Sequence, residues 1–282
     1  MPADGLAVLL RSFRLPTIAA IWEESVGRAE RENWGYKRLL QYLCESEEQD
    51  RRERKMRRLL KESGLPEGKT LGNLDEKLLP TKIRRLLPTL LEGHFVERAE
   101  NILAFGLPGR GKTHFLAALG RELILRQRCP VLFTPTFKLV QQLLVAKKDL
   151  RLESELKRLD RYPVVILDDL GYVQQDRQEM EVLFTFLAER YERRSVLISS
   201  NLVFSKWDQI FKDPMTTMAA IDRLVHHAMI LEFNGESVRV QKAQGRGKDQ
   251  NNPSGGPSGS TPSLAPGGAK DSVPPEGPPP KE

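Results

Sequence analysis

The residues best suited to chemistry lie in the eight-residue run Gly106-Leu107-Pro108-Gly109-Arg110-Gly111-Lys112-Thr113. Its glycines allow backbone N–H groups to curl around phosphate oxygens, and a helix opening at His114 would add the positive potential of its N-terminus. Lys112 is placed to reach the terminal phosphates of ATP, and the Thr113 hydroxyl to ligate Mg²⁺. A second stretch, Val164-Val165-Ile166-Leu167-Asp168-Asp169, is an apolar run ending in two carboxylates. Asp168 suits the water shell of the Mg²⁺, and Asp169 could orient or deprotonate an attacking water. A third run, Val196-Leu197-Ile198-Ser199-Ser200-Asn201, ends in polar residues. Asn201 could hydrogen-bond the nucleophilic water or the terminal phosphate, although Ser-Ser-Asn is also ordinary turn composition.

These residues need a scaffold, and the hydrophobic pattern supplies one. Ile102 to Phe105 has the length of a buried strand, and Phe115, Leu116, Leu119, Leu123 and Ile124 recur at helical spacing after the loop. Further short apolar runs at 131–133, 164–167, 196–198 and 229–232 alternate with helical patterns at 137–148, 178–194 and 218–224. Alternation of this kind predicts an α/β core, a parallel sheet flanked by helices, with its ligand crevice at the C-terminal ends of the strands. Arg223 has two readings: an ion pair with Asp222 or Glu232, or a finger reaching a neighbouring subunit's phosphate. His226 and His227 have no third ligand nearby in sequence and are taken as structural.

Before the core, residues 6–60 carry apolar positions at helical intervals and predict a small all-helical unit. Pro16 suits a helix first turn, and a long helix is expected from about Tyr36. It runs into a basic block, Arg51, Arg52, Arg54, Lys55, Arg57, Arg58 and Lys61, preceded by the acids Glu45, Glu47, Glu48 and Asp50. Two readings stand side by side: a solvated helical face laced by i,i+4 pairs, or a surface for backbone phosphates of DNA. Gly64 and Pro66 should end the helix, and Gly68 to Gly72 has linker composition. Part of the apolar and basic segment from Leu78 to Val96 is expected to wall an adenine pocket.

At 282 residues the chain can bury a sizeable core, and its net charge of +6 is compatible with a polyanionic partner. Cys44 and Cys129 form no framework and suggest reduced thiols. Neither a signal peptide nor a membrane span is apparent, so the expected location is the cytoplasm. Nine of the 19 prolines fall between Pro253 and Pro280, a composition that predicts a disordered tail. The expected domains are a helical unit at 1–66, an ATPase core at 67–244 and the tail at 245–282.

From about Leu6 to Val240 the chain resembles the IstB family of transposition helper ATPases, which bacterial insertion sequences encode beside their transposase. Beyond the phosphate loop the resemblance rests on Phe13-Arg14-Leu15-Pro16-Thr17, Phe95-Val96-Glu97-Arg98-Ala99-Glu100-Asn101 and Leu167-Asp168-Asp169-Leu170-Gly171-Tyr172. It also rests on Arg190-Tyr191-Glu192-Arg193-Arg194-Ser195 and Asp222-Arg223-Leu224-Val225-His226-His227. The resemblance implies an AAA+ fold of the initiator type, related to DnaC helicase loaders. It further implies a homo-oligomer on duplex DNA with ATP at subunit junctions, nucleoid association when DNA-bound, remodelling of that DNA, and delivery of a target site to the cognate transposase. Arg223 then becomes the trans-acting arginine. Rival readings are a helicase loader that favours single strands, a small-molecule kinase, and a DNA-coating protein for which ATP is only an assembly switch. Three departures stand out: Asp169 where many AAA+ enzymes have Glu, Arg110 within the loop, and no helical lid after the last strand.

Overall fold

The computed structural model describes residues 3–171, 176–202, 221–222 and 224–234. Tyr172, Arg223 and the expected tail at 245–282 lie outside the described residues. Strands β1 (Asn101–Phe105), β2 (Val131–Pro135), β3 (Val164–Leu170), β4 (Ser195–Ser200) and β5 (Ala228–Glu232) pair in the order β2-β3-β4-β1-β5. Every pairing is parallel. Because parallel strands are covered on both faces, each strand can be apolar at successive positions. Ile102 and Ala104 of β1 enter one cluster, with Ile83 and Leu90 of α4 (Thr81–Glu92) and Phe115 and Leu119 of α6 (Lys112–Gln127). Leu103 and Phe105 enter the other, with Leu143 of α7 (Thr136–Lys148), Leu159 of α8 (Leu152–Leu159) and Phe186 of α9 (Arg177–Arg190). Between α4 and β1 lies one further helical turn, α5 (His94–Glu97).

Three helices precede the core: α1 (Ala3–Ser12), α2 (Pro16–Arg31) and α3 (Tyr36–Glu62). The end of α3 reaches the sheet, since Met56, Leu59, Leu60 and Leu65 all join the α6-side cluster. There Phe133 N donates to Ser63 O at 2.7 Å. Gly64 has φ +68°, and a Cβ on it would lie 2.8 Å from Phe133 O, so only glycine lets the chain pass so close to β2. The stretch with linker composition is packed: Leu71 and Leu74 rest on the same cluster, and their apolar contacts override the local glycines. The helix expected over 178–194 ends at Arg190, where Glu192 turns to φ +56°.

Arg190 closes the end of the sheet opposite the phosphate loop. It is 3% exposed and donates to the carbonyls of Tyr162, Pro163 and Ser195 at 2.9, 3.1 and 3.0 Å. Burial pulls its pKa down to about 9, with Asp160 opposing, so the guanidinium stays charged at neutral pH. Burial also pushes the Cys129 thiol up to about 11, which leaves it protonated and unreactive.

Pro16 does open α2, but the N-cap residue Leu15 has no side chain to cap the helix. Glu47 of α3 does so instead. Its carboxylate accepts from Thr17 N at 2.8 Å and Ile18 N at 3.2 Å, and from Arg51 Nε at 3.0 Å. Asp50 accepts from the Thr17 hydroxyl at 2.6 Å. Burial alone would raise the pKa of Glu47, yet the N–H groups of Ile18 and Thr17 together with Arg51 hold it below the ordinary value. Because the folded pKa is depressed, the stabilisation is present above the ordinary Glu range and is lost as pH falls through the lowered value. Glu47→Gln is expected to destabilise the helical unit by about 2 kcal/mol at neutral pH. In urea unfolding the difference from the parent protein should close as pH falls below Glu's ordinary range.

Candidate nucleotide-binding site

Strand order brings the three polar stretches together. β4 lies between β1 and β3, so the loop after β1, the carboxylates ending β3 and the residues after β4 emerge side by side at one edge. Phe105 pairs with Ser200, so Gly106 and Asn201 each follow directly after a matched residue.

The loop adopts conformations that glycine supplies cheaply: φ is +149° at Gly106, +82° at Gly109 and +90° at Gly111. A Cβ on Gly106 would meet Phe233 O at 2.6 Å. Lys112 is 5% exposed, and its ammonium donates to the carbonyls of Gly106 at 2.6 Å and Leu107 at 3.1 Å. No side chain caps α6, whose N-cap is Gly111. Its first N–H groups therefore present positive potential beside that ammonium, which is the donor set an anionic phosphate requires. Thr113 and His114 follow in the first turn, and His114 Nε2 lies 2.9 Å from Thr70 O. Arg110, the unusual loop residue, donates to Phe233 O at 3.3 Å, while Phe233 N donates to Phe105 O at 2.7 Å. It braces the loop against the chain leaving β5. Asn73, Leu74, Leu78, Leu79, Arg110 and His114 line a small pocket beside the loop, to which the segment from Leu78 contributes its first two residues.

The acidic end of β3 is held by a bulge. Leu167 pairs with Ile198, but the next matched pair is Leu170 with Ser200, so β3 carries one extra residue. Asp169 takes φ +57° there and is exposed, with Asp168 half-buried beside it. Ser199, fully buried, organises both. Its hydroxyl donates to Asp168 Oδ1 at 2.6 Å and accepts from Asp169 N at 2.9 Å. Thr136 holds the Asp168 main chain by donating to its carbonyl at 2.9 Å. Asn201 Oδ1 is buried with no hydrogen-bond partner, an orphaned acceptor facing away from solvent. Ser199 escaped sequence reading because Ser-Ser-Asn resembles a turn; the available signal was a serine where a central strand should be apolar.

The basic block lies on α3, and much of it is ion-paired within that helix. Arg51 pairs with Glu47, Arg52 with Glu48, Arg54 with Glu47 and Asp50, and Arg58 more loosely with Glu62. Arg57 lies 3.9 Å from Asp50 and is 68% exposed. Among the described residues, no helix is long and apolar enough to cross a membrane.

A profile of the IstB-like ATP binding protein family matches residues 8–245, spanning the helical unit as well as the core. The chain belongs to this family. An insertion sequence ATP-binding protein of Sinorhizobium fredii is 42% identical over 250 residues, 88% of this chain and 84% of its own length. The IS21 ATP-binding protein of Pseudomonas aeruginosa is 35% identical, covering 86% of this chain and 91% of that protein. Among solved structures, DnaI superposes with a TM-score of 0.50 at 22% identity, over 60% of this chain and 95% of its own. Domain III of Thermotoga maritima DnaA gives 0.52 at 15% identity, over 65% and 74%. These likenesses are of fold, the AAA+ P-loop NTPase fold. The matched range includes the loop from Gly106 to His114.

The geometry generates a prediction about Ser199. Removing a buried hydroxyl bonded to a carboxylate costs roughly 1.5–3 kcal/mol, equivalent to about 10- to 100-fold in rate. Ser199→Ala is expected to lower steady-state ATP turnover by that factor while nucleotide affinity, measured by fluorescent-ATP titration, stays near the parent value.

Proposed function

We propose that this chain is a Mg²⁺-dependent ATPase that assembles on duplex DNA, remodels it, and delivers a target site to a partner transposase. The observation that carries the reading is the convergence of the uncapped α6 N-terminus, Lys112 and the acidic pair Asp168 and Asp169, held by Ser199, at one sheet edge. Names of the relatives, ATP-binding proteins of insertion sequences, support the transposition setting.

In this reading the backbone from Gly106 to Thr113 cradles the phosphates, and Lys112 exchanges its loop carbonyls for phosphate oxygens. Thr113 and Asp168 would hold Mg²⁺, which supplies charge neutralisation at the phosphates when bound. Asp169 orients the attacking water; its short side chain sets a slow turnover that DNA or the transposase raises. Asn201 turns its orphaned acceptor's amide toward the terminal phosphate or water. Arg223 serves the neighbouring subunit's site, which makes oligomerisation part of catalysis. We assign residues 1–66 to partner and DNA contact, 67–244 to ATP hydrolysis, and leave the tail at 245–282 dispensable. The protein acts in the cytoplasm, on the nucleoid. Within the basic block, Arg51 and Arg54 support the α2–α3 junction, so DNA contact is assigned chiefly to Lys55, Arg57, Arg58 and Lys61.

Sedimentation with duplex DNA tests the reading. Large complexes are expected with ATP and not with ADP or without nucleotide; a protein that stays small, or prefers single strands, would overturn it. Arg223→Ala is expected to abolish hydrolysis with nucleotide binding retained, and equal loss of both would remove the trans role. Replacing Lys55, Arg57, Arg58 and Lys61 by alanine should flatten the dependence of log affinity on log salt by about 0.9 for each DNA phosphate that is no longer neutralised.

A further inference from the structure

Two sequence motifs play no part in the nucleotide site: the turn after α9, containing Tyr191 and Glu192, and the pair His226-His227 before β5. The fold brings them together at the N-terminal end of the sheet. Glu192, His226 and His227 each place a ligand atom within 4.8 Å of the others. His227 Nε2 lies 3.5 Å from Glu192 Oε1, and the two imidazole rings stand edge-on with centroids 4.2 Å apart. The Tyr191 hydroxyl lies 3.2 Å from His226 Nδ1, which orients that ring and leaves Nε2 for a ligand. A hydrogen-bonded second ring nitrogen is the usual support of a metal-ligating histidine.

The backbone beneath is fixed. Asn101 N donates to His227 O at 2.7 Å, its side-chain amide donates to Leu224 O at 3.2 Å, and its Oδ1 accepts from Val196 N at 2.9 Å. One asparagine thus pins the histidine-bearing segment to β4, the strand that follows the Glu192 turn. Glu192 has φ +56°, a conformation that glycine or asparagine would adopt at less cost. All three side chains are exposed, so they can close by rotamer change from their present spacing to the about 3.3 Å expected between donors of a tetrahedral ion with 2.0–2.1 Å bonds.

We propose that Glu192, His226 and His227 form a binding site for a divalent first-row transition ion, Zn²⁺ in particular, with one position left to water. Two imidazoles and one carboxylate suit such an ion, whereas Mg²⁺ demands oxygen ligands, so this site is chemically distinct from the phosphate loop. The ion ties the turn after α9 to the segment entering β5, adding to the link that Asn101 makes between that segment and β4.

The test uses the full-length untagged protein without nucleotide. Titration with Co²⁺, read by visible absorption and followed by Zn²⁺ competition, is expected to give one saturable equivalent. Glu192→Gln and His227→Gln should each weaken it by more than the roughly 10- to 100-fold that loss of a mere supporting partner costs. Glu192→Gly suits the positive φ and guards against misfolding: it should lose the ion while its metal-free Tm holds or rises. Absence of saturable binding, or binding that these variants leave unchanged, would overturn the proposal.

Discussion

A single buried hydroxyl, that of Ser199, couples the two acidic residues at the end of β3 to the strand beside them. It donates to the side chain of Asp168 and accepts from the main chain of Asp169, fixing the bulge that turns Asp169 outward. The position of β4 between β1 and β3 makes this contact possible. Any displacement of β4 would therefore be felt at both acids and at Asn201, which leaves the same strand. The low-dielectric surroundings strengthen these bonds and raise the cost of breaking them.

Charge in the helical unit is managed by the same economy of partners. The cluster Glu47, Asp50, Arg51 and Arg54 serves first to terminate α2, whose own N-cap residue has no capping group. An acid at that position meets both the orphaned N–H groups and the positive end of the helix. Further along α3 compensation thins, and the same helix passes from a structural ion network to a more open cationic surface within two turns. The net charge of the chain conveys none of this division.

The core was legible because its signals are local and periodic. The glycine spacing of the phosphate loop, the apolar strand runs and the spacing of Phe115, Leu116, Leu119 and Leu123 each report a nearby physical requirement. What escaped depends on residues far apart in sequence. Glu47 acting on α2, Ser199 acting on Asp168, and Thr70 meeting His114 are separated by 29 to 44 positions, and no local pattern marks them. Arg110 is similar: an unusual loop residue explained only once Phe233 is seen beside it. Glu192, 34 and 35 positions before the histidine pair, likewise joins it only through the fold.

The contacts of Phe233 have a mechanical meaning. Its carbonyl meets Gly106 and Arg110, its N–H is held by Phe105, and its ring packs on Phe115 of α6 at 5.6 Å between centroids. Strand, loop and helix of the phosphate cradle are thus all fastened to one residue just beyond β5. Displacement of Phe233 would therefore disturb the end of β1, the loop and the start of α6 together, so the exit of β5 and the phosphate cradle are mechanically one piece.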